Sequence, residues 1–196
     1  MDVTDVDPDP FVQFQRWLAD AQAELPEPSA MVLATADASG RPLARHVLLK
    51  GIDDRGFVWF TNYESAKARD LAENPRASLV FPWFPIRRQV IVAGTASTID
   101  PAESDAYFAT RDRSSQIGAW ASPQSEEIPD RAFLEQRVLE IEARFDGLPV
   151  PRPRHWGGYR LVPDRIELWH NQPDRLHDRL RYLRTGNGWR IVRIAP

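Results

Sequence analysis

With 196 residues, 42% of them apolar and 27% charged, the chain has the size and balance of a single globular domain with a full core. A net charge of −3 gives no general attraction to nucleic acid, so any anion site has to be local. The absence of cysteine excludes disulfides, thiolate metal centres and a cysteine nucleophile. No apolar run is long enough to span a bilayer and the acidic start lacks a signal-peptide pattern, so a cytoplasmic protein without membrane or nucleic-acid partners is expected.

Seventeen prolines imply many short elements joined by fixed turns. Residues 1–10 are acidic and proline-containing and are expected to be disordered, leaving residues 11–196 as a single domain. Asp9-Pro10 reads as an N-cap with proline in the first helical position. Phe11, Phe14, Trp17, Leu18 and Ala21 then recur at helical spacing up to about Glu24. From Met31 the period changes. Met31 to Thr35, Arg41 to Lys50 and Phe57 to Thr61 form a meander, with turns at residues 37–40 and 53–56. Ser65 can cap a short helix from Ala66 to Glu73. Strands Ala77 to Phe81 and Gln89 to Ser97 follow, and Asp100-Pro101 opens a helix carrying Tyr107 and Phe108. Arg111 to Ser125 has no clear period and reads as an ordered loop. Arg131 to Phe145 is helical, with Phe133, Val138, Ile141 and Phe145 on its apolar side. Tyr159 to Val162, Ile166 to His170 and Arg175 to Leu183 read as three strands, and a turn at residues 185–188 leads to a last one, Trp189 to Ile194. The fold class is mainly β: an antiparallel barrel with helices packed outside it.

Chemistry concentrates in groups suited to anions. If residues 175–183 are extended, Arg175, His177 and Arg179 share one face over roughly 13 Å, opposite Leu176, Leu180 and Tyr182. Arg45 and Lys50 bracket an apolar stretch, and their odd spacing demands either a bulge or two separate anions. Asn62 to Lys67 offers a hydroxyl, an ammonium and a helix start, a combination able to cradle a phosphate. Tyr107 and Arg111 stand one helical turn apart with Ser115 beyond, a second phosphate grip. His46, His155, His170 and His177 lack zinc-type spacing, so no metal site is expected.

The blocks RHVLLKG, TNYESAKARDLAENPRASLVFPW, RQVIVAG, SDAYFATRDRSSQIGAWASPQS, HWGGYRLVPDRIELW, RLHDRLRY and WRIVRIAP resemble the pyridoxine (pyridoxamine) 5′-phosphate oxidases. That resemblance implies an FMN-binding split β-barrel of antiparallel, Greek-key type, with FMN held between the subunits of a homodimer. By position it implies FMN contacts from Arg45, Lys50, Thr61, Lys67, Gln89, Gln124, Ser125, Trp169 and Arg179. Lys50, Tyr107, Arg111 and Ser115 would hold the phosphate of a B6 vitamer. Arg175 and His177 would flank its reacting end, better cast as positioning and electrostatic groups than as an acid–base pair. The implied reaction oxidises pyridoxamine 5′-phosphate, and pyridoxine 5′-phosphate, to pyridoxal 5′-phosphate, with molecular oxygen as acceptor and hydrogen peroxide released. A related flavin oxidase of phenazine biosynthesis and a non-catalytic flavin or B6-phosphate binder are the alternatives. Two departures stand out. The chain starts too close to its first helix to hold the family's Arg-x-x-Tyr arm, and Ser65-Ala66-Lys67 replaces the usual Ser-Arg-Lys. Arg69, one turn along the same helix, could compensate for the missing arginine.

Overall fold

The computed structural model describes residues 1–186 and 188–196. A nine-stranded antiparallel sheet, curled into the half-barrel of the split-barrel fold, organises the chain. Its strands are β1 (Ala30–Ala36), β2 (Pro42–Leu48), β3 (Gly51–Asp53), β4 (Gly56–Asn62), β5 (Arg76–Trp83), β6 (Arg88–Thr98), β7 (Trp156–His170), β8 (Asp178–Thr185) and β9 (Gly188–Arg193). They lie in the order β2-β1-β5-β6-β7-β4-β3, and β8 leaves this path by pairing with β7 and then with β9. The helices are α1 (Pro10–Glu24), α2 (Ala66–Glu73), α3 (Pro101–Ala109), α4 (Arg113–Ala121) and α5 (Arg131–Arg144). None is long and apolar enough to cross a membrane.

α1 plugs the barrel. The Asp9 side chain accepts from the Phe11 N–H at 2.8 Å and Pro10 takes the first turn, as the sequence suggests. Phe11, Phe14, Trp17 and Ala21 are buried on one face. Phe14 is fully buried, its ring 4.9 Å from Phe57, 4.8 Å from Phe81 and 5.5 Å from Trp83. β1 follows strict alternation, with Met31, Leu33 and Thr35 turned inward.

β7 corrects the expectation of two separate strands. It is one strand of fifteen residues. Its first half pairs with β4 (Trp156 opposite Asn62) and its second half with β8 (Trp169 opposite Arg179), while β6 runs beside both. The residues that read as a break, Pro163 and Asp164, are absorbed by a bulge where the partner of Gly94 is Pro163 and that of Ala93 is Arg165. Gly94 is needed there, because a Cβ would lie 2.1 Å from the Val162 carbonyl oxygen.

Three further expectations are corrected. Residues 113–121 are the helix α4, not a loop; Ile117 and Ala121, one turn apart, are buried on its inner face, and this tertiary packing overrides the weak helix propensity of Ser and Gly. The stretch from Arg175 is not extended. Pro173–Arg175 forms a 3-10 turn with Asp174 at φ 56° and Arg175 at φ 62°, and β8 starts only at Asp178. Arg175, His177 and Arg179 therefore do not form the single-faced row that alternation suggests, and Leu176 is exposed. The acidic start, expected to be disordered, instead packs on the β8–β9 hairpin. Tyr182 donates its hydroxyl to the Asp7 carbonyl at 2.7 Å, and the Met1 ammonium meets Asp178 at 2.9 Å. Asn187, in the turn expected at residues 185–188, lies outside the described residues.

Phe14→Ala should cost about 3–5 kcal/mol, because truncating a fully enclosed ring leaves a cavity. Urea unfolding of the two proteins measures this. A loss below about 1 kcal/mol would mean that α1 is not part of the cooperative core.

Candidate active site

Where β2, β4, α3 and α4 converge, a cleft of about 570 Å³ opens. Its lining includes Arg45, Lys50, Lys67 and Arg111 but no carboxylate. A cavity with four cations on its wall and no acid facing them is built for an anion.

Each cation is positioned by a different device. Arg45 comes from β2, where its guanidinium donates to Thr35 Oγ1 at 2.6 Å and to the Leu33 carbonyl at 3.3 Å. Asp70 of α2 stands 3.7 Å behind it and accepts from the Thr35 hydroxyl at 2.5 Å. Arg45 is thus half-neutralised from below. Lys50 reaches the same cleft because β2 ends at Leu48 and β3 begins only at Gly51. The backbone break does the work of the bulge that the odd spacing demanded, and both cations face one cavity.

Lys67 is buried at the start of α2. Its ammonium donates to Thr61 Oγ1 at 3.2 Å, Ser65 Oγ at 3.2 Å and Gln124 Oε1 at 3.1 Å. All three acceptors are neutral. Burial, reinforced by the nearby Arg45 charge, pushes the Lys67 ammonium down from 10.5 to about 8. Ser65 sits at the N-cap of α2 but makes no side-chain cap bond; its hydroxyl donates to the Asn62 carbonyl at 2.7 Å instead.

On the opposite wall Tyr107 stacks on Phe60 with ring centroids 3.9 Å apart, and Phe60 stacks on Trp156 at 5.3 Å. Arg111 lies over Trp156 at 4.6 Å and over Phe108 at 5.5 Å. Its Nη1 is buried without a hydrogen-bond partner among the described residues. An orphaned guanidinium nitrogen beside a cavity is the donor an anionic oxygen would satisfy. Burial lowers the Arg111 pKa, a further sign that its charge lacks a counter-ion. Ser115 of α4 completes this wall.

Arg45, Lys50, Thr61, Lys67, Gln124, Tyr107, Arg111 and Ser115 are thus brought to one cleft. Ser125 follows Gln124 with φ 75° but does not line the cleft. Gln89, Trp169, Arg175, His177 and Arg179 form a second group. Gln89, Trp169 and Arg179 stand side by side across β6, β7 and β8. The His177 ring lies 4.6 Å from Trp169, and the buried carboxylate of Glu167 accepts from Arg179 at 2.6 Å and from Arg181 at 2.9 Å. Trp156 lines the cleft, whereas Trp169 comes thirteen residues later in the same bulged strand and does not line it.

Arg69 does not face the cleft. It donates to the Glu64 carbonyl at 2.5 Å and to Glu126 at 3.0 Å, so in the free chain it is engaged away from the cleft. Sequence reasoning missed Asp70, Thr35, Phe60 and Trp156. Asp70 lies one turn from Lys67 on α2, and that spacing was the available signal.

The pH behaviour of Lys67 can be checked. Its ammonium titrates near 10.5 in the unfolded chain and near 8 in the folded one. Between those values the unfolded state binds more protons, so raising pH removes a native-state penalty. The stability of the wild-type chain relative to Lys67→Met should be flat below pH 8 and climb between pH 8 and 10.5. Denaturation curves at stepped pH measure the difference; a difference that stays flat through that window would contradict the burial of an uncompensated charge.

Comparison with known proteins agrees with this geometry. Residues 18–145 match the family described as pyridoxamine 5′-phosphate oxidase, and residues 156–196 match the pyridoxine 5′-phosphate oxidase C-terminal dimerisation region. A pyridoxine/pyridoxamine 5′-phosphate oxidase from Paraburkholderia phymatum is 58% identical over 198 residues, covering 100% of this chain and 93% of that protein. One of the same name from Rubrobacter xylanophilus is 59% identical, covering 97% of this chain and 88% of its own length. The crystal structure of PhzG from Burkholderia lata, solved with tetrahydrophenazine-1-carboxylic acid, superposes with a TM-score of 0.91 at 37% identity, covering 97% of this chain and 94% of that one. An FMN-binding protein related to pyridoxamine 5′-phosphate oxidase, from Nostoc punctiforme, shares the fold, with a TM-score of 0.76 at 18% identity over 95% of this chain and 98% of that one. The chain belongs to the pyridoxamine 5′-phosphate oxidase family.

Proposed function

We propose that this chain is an FMN-dependent oxidase that converts pyridoxamine 5′-phosphate, and pyridoxine 5′-phosphate, to pyridoxal 5′-phosphate, with oxygen as acceptor and hydrogen peroxide as by-product. The observation that carries the reading is that Arg45, Lys50, Lys67 and Arg111 line one cleft. Arg45 and Lys67, with Thr61 and Gln124, suit the cofactor; Lys50, Tyr107, Arg111 and Ser115 suit the substrate phosphate. The donor set fits FMN: neutral acceptors satisfy Lys67 while its charge stays uncompensated, the state in which a bound phosphate gains most. Arg45, Lys67, Thr61 and Gln124 would hold FMN, which would supply the redox chemistry as acceptor of a hydride from the substrate's C4′ carbon and donor of electrons to oxygen.

The chain's own part is binding, orientation and exclusion of water. Arg111, braced on Trp156 and Phe108, fixes one end of the substrate. Arg175 and His177 act at the other end, on this reading supplied by a second copy. Neither lines the cleft of its own chain, and the dimerisation match over residues 156–196 contains both. The functional unit on this reading is a homodimer with two composite sites. The PhzG likeness favours a second reading, a phenazine-type substrate. Lys50, Tyr107, Arg111 and Ser115 lining the same cleft suit the double charge and several oxygens of a phosphate better than a single carboxylate.

Purified protein should be yellow, and peroxide should appear with pyridoxamine 5′-phosphate but not with a tetrahydrophenazine carboxylic acid; the reverse pattern would overturn the proposal. Arg111→Ala should raise the apparent KM for the B6 phosphate about ten- to a hundredfold, the loss of one charge-assisted bond of about 1.5–3 kcal/mol. Bound FMN should barely change. An equal loss of FMN and substrate affinity would reassign Arg111 to the cofactor.

Position 66 gives a separate check. Ala66 brings no donor to the start of α2, and Arg69 is engaged elsewhere. Ala66→Arg should tighten FMN binding by about tenfold or more, since it adds a guanidinium hydrogen bond, and Arg69→Ala should leave it unchanged. Titration of flavin-free protein measures both. Weakened binding in Arg69→Ala would show that Arg69 does reach the phosphate.

A further inference from the structure

The turn between β7 and β8 carries Arg175 and His177, and residues outside the two ligand-facing groups hold it. The Gln172 backbone N–H donates to His177 Nδ1 at 3.2 Å. The Gln172 side chain then donates from Nε2 to Asp178 Oδ2 at 2.8 Å. Arg193 of β9 donates to the other oxygen, Asp178 Oδ1, at 2.7 Å, and the Met1 ammonium reaches Oδ2 at 2.9 Å. The ammonium and Arg193 hold the Asp178 carboxyl down at about 2, so it is ionised across the working range. Within the turn Asp174 and Arg175 both adopt left-handed backbone angles, a conformation that non-glycine residues keep only where surrounding contacts impose it.

We propose that Gln172 and Asp178 are positioning residues that fix His177 as its Nε2–H tautomer, so that the imidazole offers a hydrogen-bond donor, not an acceptor, to the ligand. A neutral imidazole carries one ring proton. A backbone N–H can donate only to a ring nitrogen with a free lone pair, so Nδ1 is the bare nitrogen and the proton sits on Nε2. Asp178 acts one step back. Its carboxylate, held by Arg193, clamps the Gln172 side chain and with it the backbone N–H that selects the tautomer. The Trp169 ring, 4.6 Å away and tilted by 49°, supports the imidazole from one side. The contacts stand by themselves; that the donor meets a substrate rests on the function proposed above.

Nitrogen NMR of the full chain labelled with ¹⁵N-histidine, with and without FMN, tests the tautomer directly, with His177 assigned by its loss in His177→Gln. Neutral His177 should carry its proton on Nε2 in the wild-type chain, and both tautomers should be populated in Gln172→Ala and in Asp178→Ala. Gln172→Ala removes the side-chain clamp that holds the residue 172 N–H but keeps the Arg193–Asp178 pair, so it carries the test should Asp178→Ala fail to fold. A proton on Nδ1 in the wild type, or a tautomer unchanged in the folded variants, overturns the proposal. In turnover, Gln172→Ala should lower kcat for the B6 phosphate by about tenfold with KM nearly unchanged, as expected when a reacting-end group loses its orientation. A fall in KM-determined affinity alone would overturn the positioning role. A tautomer shift in a protein that turns over no B6 phosphate would support the positioning and overturn only the oxidase reading.

Discussion

β7 runs without interruption from Trp156 to His170, and the rest of the structure depends on that continuity. One strand serves two pairing partners in succession, β4 and then β8, while β6 spans both. Because the register is set by hydrogen bonds along the whole length, the residues at its two ends are held at a fixed separation. Trp156 at one end braces Arg111 in the cleft, and Trp169 at the other meets His177. The bulge at Asp164, made possible by the bare Cα of Gly94, keeps the strand in the sheet where Pro163 would otherwise end it. On the proposed function the two ends of this strand carry two half-sites, completed when copies pair.

The cleft stores unfavourable electrostatics for its ligand. Lys67 is buried among neutral acceptors, and Arg111 has a buried nitrogen with no partner among the described residues. In the free chain both are costs, and an entering anion converts them into charge-assisted hydrogen bonds. Asp70 keeps this from becoming destructive by partly neutralising Arg45 from beneath the cleft floor. The second group is balanced differently. Glu167 already meets Arg179 and Arg181, so that end of β7 carries a satisfied charge network. An anion would be drawn to the cleft first.

Much of this was legible in the residues. Alternation in β1, the cap at Asp9-Pro10 and the helical spacing of Phe11, Phe14 and Trp17 follow from local stereochemistry, and the structure repeats them. What failed did so where tertiary contacts outrank local preference. Ser114, Ser115 and Gly118 suggest a loop, but Ile117 and Ala121 find a buried surface and α4 forms. Leu176 reads as the inward member of an alternating strand, yet left-handed Asp174 and Arg175 turn the chain and leave it exposed. Acidic composition hid the packing of the first residues, which rests on single long-range partners, Tyr182 and Asp178, that no local pattern announces. The odd spacing of Arg45 and Lys50 left their clustering open, since it depends on where β2 stops, and only the family resemblance put both on one ligand.

The central claim is that the cleft of one subunit and the β7–β8 turn of another make one site. Two weakened variants, Arg111→Ala in the cleft and Arg175→Ala in the turn, can be unfolded together, refolded as a mixture and assayed at a substrate concentration far below the raised KM of Arg111→Ala. In a mixed dimer one of the two composite sites carries both substitutions and the other carries neither. Random pairing should then bring the mixture to about a quarter of wild-type activity, well above either variant refolded alone. A mixture no more active than its parents, although mixed dimers form, would contradict the account.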